Sequence, residues 1–361
     1  MRRRISFLLP VPHRAPVGGF KVVYEYANHL ARRGHAVTVV HPALDRYDAT
    51  LFRRAKRYVR YLQKRIDGSY RPEPFFRLDP QVRLCWTPSL GAGYIGDGDY
   101  AVATAWQTAE WLRRYGAEKG EKIYLVQEYE RYMAAPDGAR QRIAQTYSMA
   151  ARYVAISPAV RQVLRSHGVQ NVFYVPNGID FKAFSLDVAI EQRERCYVGF
   201  PTRSELHKGT WDGIEALAAV RSEVGGTLPV WSFGGERPAE MPHWVEYHER
   251  PSDQQLRSLY NRTAIFVVPS HYEGWGLPGA EAMACGAALV TTDNGGATAY
   301  AQSGQTALLS PARQPSALAA NVLRLLGDSS LRCELARAGQ AHIQGFTWER
   351  ATDAFEAVLN A

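Results

Sequence analysis

Cysteine is scarce in this chain: Cys85, Cys196, Cys285 and Cys333 stand far apart, none forms a CxxC pair, and none sits near a histidine at metal-ligand spacing. That excludes a disulfide-stapled scaffold and a zinc module, and leaves free thiols in a reducing cytoplasm as the expectation. Long apolar runs are missing too, since no stretch approaches the ~20 residues of a membrane-spanning helix. Met1, Arg2, Arg3 and Arg4 followed by an apolar run from Ile5 imitate a secretion signal, but Pro10 and Pro12 interrupt the run and no small-residue cleavage site follows. A first β-strand is the better reading. There is no low-complexity tract and no short-period repeat. The basic residues fall into no nucleic-acid reader motif, so no nucleic-acid partner is expected.

What is present is apolar content spread evenly over 361 residues, 46% of them hydrophobic, which is more than one core usually organises. A formal charge of +8 favours anionic partners, among them acidic lipid and nucleotide diphosphate. Short β-branched or aromatic runs alternate with segments of helical period, the pattern of parallel sheets with covering helices. Seven strands are expected near Ile5–Pro10, Ala36–Val40, Val82–Trp86, Tyr100–Thr104, Ile123–Val126, Tyr153–Ile156 and Val172–Val175. A helix from about Lys21, with Val23, Ala27 and Leu30 on one face, ends at Gly34. Six more strands follow near Cys196–Phe200, Val230–Phe233, Val245–His248, Ile265–Val268, Leu289–Thr291 and Ala307–Leu309. Ser252 and Gln255 stand at capping-box spacing, and Gln314-Pro315 opens another amphipathic run. Two doubly wound α/β domains with a cleft between them are the expectation, and their ligands belong at the carboxyl ends of the strands.

The most informative segment runs from Pro269 through Ser270, His271, Tyr272, Glu273, Gly274, Trp275, Gly276, Leu277, Pro278, Gly279 and Ala280 to Glu281, then Ala282-Met283-Ala284-Cys285-Gly286. It reads as a strand end, a glycine-rich loop and a helix opened by Pro278. Glycines let the backbone approach a ligand, and a helix N-terminus offers free amides and partial positive charge, so the segment fits a diphosphate. A carboxylate beside a phosphate must be turned elsewhere. Glu281 is placed to accept ribose hydroxyls and Glu273 those of a sugar.

The segment resembles the signature of family 4 of the glycosyltransferases, retaining enzymes of the GT-B fold with two glutamates separated by seven residues. Further matches are Gly18-Gly19 after the first strand, Arg33-Gly34-His35 before the second, Pro176-Asn177-Gly178-Ile179-Asp180 at the start of the second domain, and Asn294-Gly295-Gly296. The resemblance implies two Rossmann-like domains. Residues 1–171 bind the acceptor, residues 172–345 bind the nucleotide-sugar donor, and a helix in 346–361 crosses back to the first domain. It also implies that an arginine and a lysine neutralise the donor diphosphate. Lys208-Gly209 fits, whereas Phe200 stands where the arginine should be and Arg203 is its substitute; Ala299 replaces a family glutamate.

The expected catalytic residues are therefore Glu273, Lys208 and Arg203, and the expected substrate-binding residues are Gly18, Gly19, Gly274, Trp275, Gly276, Leu277 and Glu281. No cofactor and no metal are expected, the nearest approach to a metal-binding acidic pair being Asp97-Gly98-Asp99 in a loop before a strand. The acceptor is a carbohydrate, a lipid-linked sugar or a small molecule, touched by residues from His13 to Gly19 and near Gln127, Glu128 and Glu130. A nucleotide-sugar epimerase of the same architecture and a non-catalytic binding protein are the alternatives. Residues 51–66 form a helix in which Leu51, Phe52, Ala55, Tyr58, Val59, Leu62 and Ile66 fall within an arc of roughly 120°. Such a helix suits an anionic membrane surface, so a cytoplasmic enzyme in peripheral contact with the inner face of the membrane is one expectation. A helix packed on the first domain with a basic outer face is the other.

Overall fold

The computed structural model describes residues 1–12, 18–44, 51–73, 75–127, 137–193 and 197–361; His13, Glu128, Glu130 and Cys196 lie outside them. Every expected strand is present. In the first unit β1 (Arg4–Leu8), β2 (Ala36–Leu44), β3 (Arg83–Ser89), β4 (Tyr100–Ala103), β5 (Glu121–Val126), β6 (Arg152–Ala155) and β7 (Val172–Tyr174) form one parallel sheet in the order β3-β2-β1-β4-β5-β6-β7. A parallel sheet is covered on both faces, which is why its strands read as continuous apolar runs: Phe7, Val39, Val102, Leu125 and Val154 are all buried. The covering helices are α1 (Gly18–Arg32), α2 (Leu51–Asp67), α3 (Trp106–Leu112), α4 (Asp137–Thr146) and α5 (Pro158–Ser166). Helix α1 starts at Gly18, ahead of the expected Lys21, because its two glycines occupy the first turn, where no i−4 acceptor exists to be lost.

The second unit repeats the plan with β8 (Val198–Pro201), β9 (Val230–Gly234), β10 (Val245–Glu249), β11 (Ile265–Val268), β12 (Ala288–Thr292) and β13 (Ala307–Ser310), parallel in the order β10-β9-β8-β11-β12-β13. Its helices are α6 (Thr210–Glu223), α7 (Asp253–Arg262), α8 (Leu277–Ala284), α9 (Pro315–Gly327) and α10 (Ser329–Ile343). The capping box of α7 is formed: Gln255 N donates to Ser252 Oγ at 3.2 Å, and Ser252 N donates to Gln255 Oε1 at 2.8 Å. Phe200, Leu217, Val230, Ile265, Val290 and Val322 anchor one buried cluster beneath the sheet.

The last helix, α11 (Trp348–Asn360), returns to the first unit. Phe355 lies 5.0 Å from the Tyr26 ring and 6.0 Å from that of Phe7, and Trp348 meets Tyr26 edge-on at 5.3 Å. Arg33 pairs with Asp353 at 2.6 Å and with Glu356, while His35 Nε2 lies 2.8 Å from Glu356 Oε1. Carbonyls of a final helical turn lack intrahelical donors. Here Arg152 donates to the Val358 carbonyl at 2.7 Å and the Tyr100 hydroxyl donates to that of Leu359.

The two compact units are Met1–Ile156, Val160–Asn177 and Trp348–Ala361 on one side, and Ser157–Ala159 with Gly178–Thr347 on the other. The first boundary thus falls after Asn177 and not at 171, because β7 pairs with β6 and stays in the first sheet. Within the second unit the outgoing and returning segments lie side by side, with Ile179 N donating to the Phe346 carbonyl at 2.8 Å.

Candidate active site

A doubly wound sheet opens a crevice where its strand order reverses, and in the second unit that point lies between β8 and β11. The loops leaving these two strands carry most of the residues singled out by the sequence. They are held close together. Gly209 turns at φ 62°, and a Cβ there would stand 2.1 Å from the Pro269 carbonyl oxygen, so glycine alone allows this approach. His271 N donates to the His207 carbonyl at 2.7 Å. From the other side Glu273 N donates to the Asn294 carbonyl at 3.0 Å, and the Tyr300 hydroxyl donates to the Gly276 carbonyl at 2.7 Å.

These braces fix the carboxylate of Glu273. Lys208 Nζ donates to its Oε2 at 2.9 Å and the Ser270 hydroxyl donates to its Oε1 at 2.8 Å. Both members of the Lys208–Glu273 pair are largely buried. A buried charge needs a partner, and each supplies the other's, so the pair presents a preset cation and a preset acceptor side by side.

After Gly274–Gly276 the chain enters α8 at Leu277. Gly276 caps it at φ +92° and ψ 61°, a left-handed conformation that favours glycine, and Pro278 lies in the first turn. The first amides of α8 have no intrahelical acceptor and carry the positive end of the helix dipole. Trp275 is 2% exposed and wedged against Tyr300 at 4.9 Å and Phe346 at 6.1 Å. Its ring anchors the loop. Further along α8 the buried Glu281 takes the Tyr260 hydroxyl at 3.4 Å. Burial first, and the charge of Glu281 second, hold the Tyr260 phenol well above its usual range, so it stays a donor. The same two causes push the Cys285 thiol up to about 12, which leaves it inert.

The structure therefore brings together Lys208, Glu273 and Gly274–Leu277, with Glu281 on the same short helix. Arg203 takes a different position. Its guanidinium lies over the Phe233 ring at 5.3 Å and donates to the Thr202 carbonyl at 2.8 Å, while Phe200, which fills the place of the family arginine, is buried in the core. Gly18 and Gly19 belong to the first unit, where a Cβ on Gly19 would lie 3.5 Å from Gln127 Oε1. Asp97 pairs with Lys119 at 2.8 Å and Asp99 accepts the Arg4 amide at 2.7 Å, so both carboxylates are engaged in the first unit.

Ser270, Tyr260 and Tyr300 escaped sequence reasoning. Ser270 lies in the Pro269–Gly286 segment, yet no spacing rule marks a serine three residues before a glutamate. Tyr260 and Tyr300 arrive from α7 and from the loop after β12, and only the folded sheet brings them to α8.

Residues 17–183 match the model of "Glycosyltransferase Family 4" and residues 239–342 that of "Glycosyl transferases group 1". The D-inositol 3-phosphate glycosyltransferase of Jonesia denitrificans is 31% identical over 51% of this chain and 50% of its own length. The glycogen synthase of Mycobacterium tuberculosis is 30% identical over 54% of this chain and 49% of its own. The chain thus spans about half the length of the curated relatives it matches. Among solved structures, sucrose-phosphate synthase from Thermosynechococcus elongatus superposes with a TM-score of 0.74 at 18% identity, covering 99% of this chain and 98% of that one. Anabaena HepE in complex with UDP-glucose gives 0.74 at 15% identity over the full length of both chains. These two likenesses establish the GT-B fold.

Proposed function

The chain belongs to glycosyltransferase family 4, and from that premise we propose that it moves a hexosyl-type sugar from a nucleotide-diphosphate sugar to an acceptor hydroxyl, with retention of configuration and without a metal. The observation that carries this reading is the Lys208–Glu273 pair at the mouth of α8, one loop deep from the switch point of the second sheet. The diphosphate lies on the amides of Gly274–Leu277 with Lys208 beside it, while Glu273 faces the sugar and Glu281 holds the ribose. Negative charge grows on the departing diphosphate during transfer, and fixed amides with a lysine stabilise it without reorganising. They supply the positive charge that a divalent ion supplies elsewhere. The acceptor hydroxyl passes its proton to the leaving phosphate, so no protein nucleophile is needed and rate comes from positioning. Arg203 reaches the diphosphate by leaving the Phe233 ring once the donor is bound.

The first unit binds the acceptor, a glycan, a lipid-linked sugar or a small molecule. Gln127 supports this: its buried Oε1, beside Gly19, has no hydrogen-bond donor among the described residues and suits an acceptor hydroxyl. The setting is cytoplasmic, in peripheral contact with the inner face of a membrane through residues 51–66.

The test is incubation of the chain with a panel of nucleotide sugars in excess EDTA, with and without glycan and glycolipid acceptors. Release of nucleotide diphosphate that depends on acceptor, with a product of unchanged anomeric configuration by NMR, is the expected result. Conversion of donor alone would indicate epimerase chemistry instead, and turnover lost in EDTA and regained with manganese would overturn the metal-free mechanism.

A further inference from the structure

Helix α2 is inside out by the usual rule for a surface helix. Residues Tyr61 and Lys64 face the sheet, where the Tyr61 carbonyl accepts the Trp86 indole N–H at 2.9 Å and Lys64 Nζ lies 5.6 Å from the centre of the Trp86 ring. Leu51, Phe52 and Ile66 are 83, 79 and 88% exposed, and Tyr58, Val59 and Leu62 are exposed as well. At 100° per residue the inward positions Arg57, Tyr61 and Lys64 are centred roughly 150° from the centre of the apolar arc. The helix thus packs on the first unit, as one of the two expectations had it, but by its polar side, and its outer face carries the apolar stripe together with Lys56, Arg60 and Arg65. Trp86 claims the polar side, and the apolar stripe faces solvent.

We propose that this face is a docking surface for an anionic lipid bilayer, into which Leu51, Phe52, Leu62 and Ile66 insert while the flanking cations meet the headgroups. Charge selects this occupant. Seven of the seventeen residues of α2 are Lys or Arg and only Asp67 is acidic, so the helix carries 7 − 1 = 6 of the chain's formal +8. A second copy of the chain would set this charge against its like, and an anionic polymer in water would leave the large apolar side chains uncovered. An acidic membrane surface answers both features at once. About 26 Å of helix lying in the interface plane is enough to fasten the first unit beside a lipid-linked acceptor. The proposal rests on the peripheral location inferred for the enzyme, and its test is independent of transfer.

The experiment is flotation of the full chain with phosphatidylcholine vesicles, with and without phosphatidylglycerol. At low salt the chain rises with the acidic vesicles and stays down with phosphatidylcholine alone, and high salt reduces the bound fraction. Leu51→Ser/Phe52→Ser/Ile66→Ser changes only exposed positions and lowers the bound fraction at least about tenfold. Lys56→Glu/Arg60→Glu, also at exposed positions, removes the preference for acidic vesicles. Thermal melting and nucleotide-sugar calorimetry on both variants should match the parent chain. No flotation of the parent with acidic vesicles, equal flotation of the triple variant, or a dimer in sedimentation velocity that the triple variant dissolves would each overturn the proposal. A chain that floats but binds no nucleotide sugar would leave the docking surface standing and overturn the transferase reading.

Discussion

Glu273 and Glu281 have the same chemistry and different company, and the roles proposed for them rest on that company. Glu273 sits in a loop between Lys208 and Ser270, so its orientation is set by a cation and a hydroxyl. Glu281 sits inside a helix against a phenol that cannot ionise in the working pH range. In the proposed placement Glu281→Gln removes a charged acceptor from the ribose, a group common to nucleotide and nucleotide sugar. A hydrogen bond to a charged group is worth ~1.5 to 3 kcal/mol, so calorimetry should show both affinities falling about tenfold to a hundredfold. Glu273→Gln should spare the free nucleotide diphosphate and lower turnover, because its contact matters most as the sugar ring gains positive charge. If nucleotide affinity follows Glu273 and ignores Glu281, the two roles are exchanged and the donor is misplaced. The glutamates, the lysine and the glycines were legible from the sequence because they are close along the chain or fall in a known pattern. The orientation of Arg203 was not, since it depends on Phe233, thirty residues away on the neighbouring strand β9.

Elements were the most legible level, and the reason is their periodicity. Buried parallel strands must be apolar throughout, and each such run became a strand of the expected sheet. Ser252 and Gln255 gave the start of α7 because a capping box is a local contract between side chain and backbone. Ser252→Ala should therefore cost ~1 kcal/mol in a denaturant melt and leave donor affinity untouched. Gly209 belongs to the same level but carries a tertiary constraint, the contact with the Pro269 carbonyl that keeps the two site loops together. Gly209→Ala adds left-handed strain and a clash, about 2 to 4 kcal/mol in all. Stability and turnover should fall together in this variant, and an alanine protein that melts and turns over like the parent would show the loop contact to be dispensable. Helix α2 marks the limit of pattern reading. Its wheel was legible, but which side faced the sheet was decided by Trp86, a residue of β3 that no local rule connects with it.

At the scale of the whole molecule, acid stability follows from groups the fold has withdrawn from water. His41, on β2, is fully buried between α1 and β1; its ring lies 2.7 Å from the Tyr24 hydroxyl and 3.0 Å from the Pro10 carbonyl. A carbonyl can only accept, so Nδ1 holds the proton, Nε2 accepts from Tyr24, and the ring is neutral. Burial above all, with the Lys64 charge added, pushes its pKa down from the ordinary 6.5 to about 4. The unfolded chain therefore binds a proton that the folded chain refuses between these two values. Stability falls as pH drops through 6.5, by about 1 kcal/mol per pH unit, and the loss is complete below about 4. Glu356 acts in a lower window. Burial alone would raise its pKa, but the hydrogen bonds from His35 and Arg33 bring it below the ordinary 4.5, so the stability it contributes to α11 is lost only as pH falls through that depressed value. Melting temperature followed from pH 7 to 3 on the parent, His41→Gln and Glu356→Gln chains separates the two at the approximate pKa values of these residue types. The decline from 6.5 to 4 should persist in Glu356→Gln and flatten in His41→Gln, whose amide can still meet Tyr24 without titrating. A parent chain equally stable at pH 6.5 and pH 4 would show that burial does not depress His41, and a His41→Gln chain with the full parental decline would show that acid attacks the fold somewhere else.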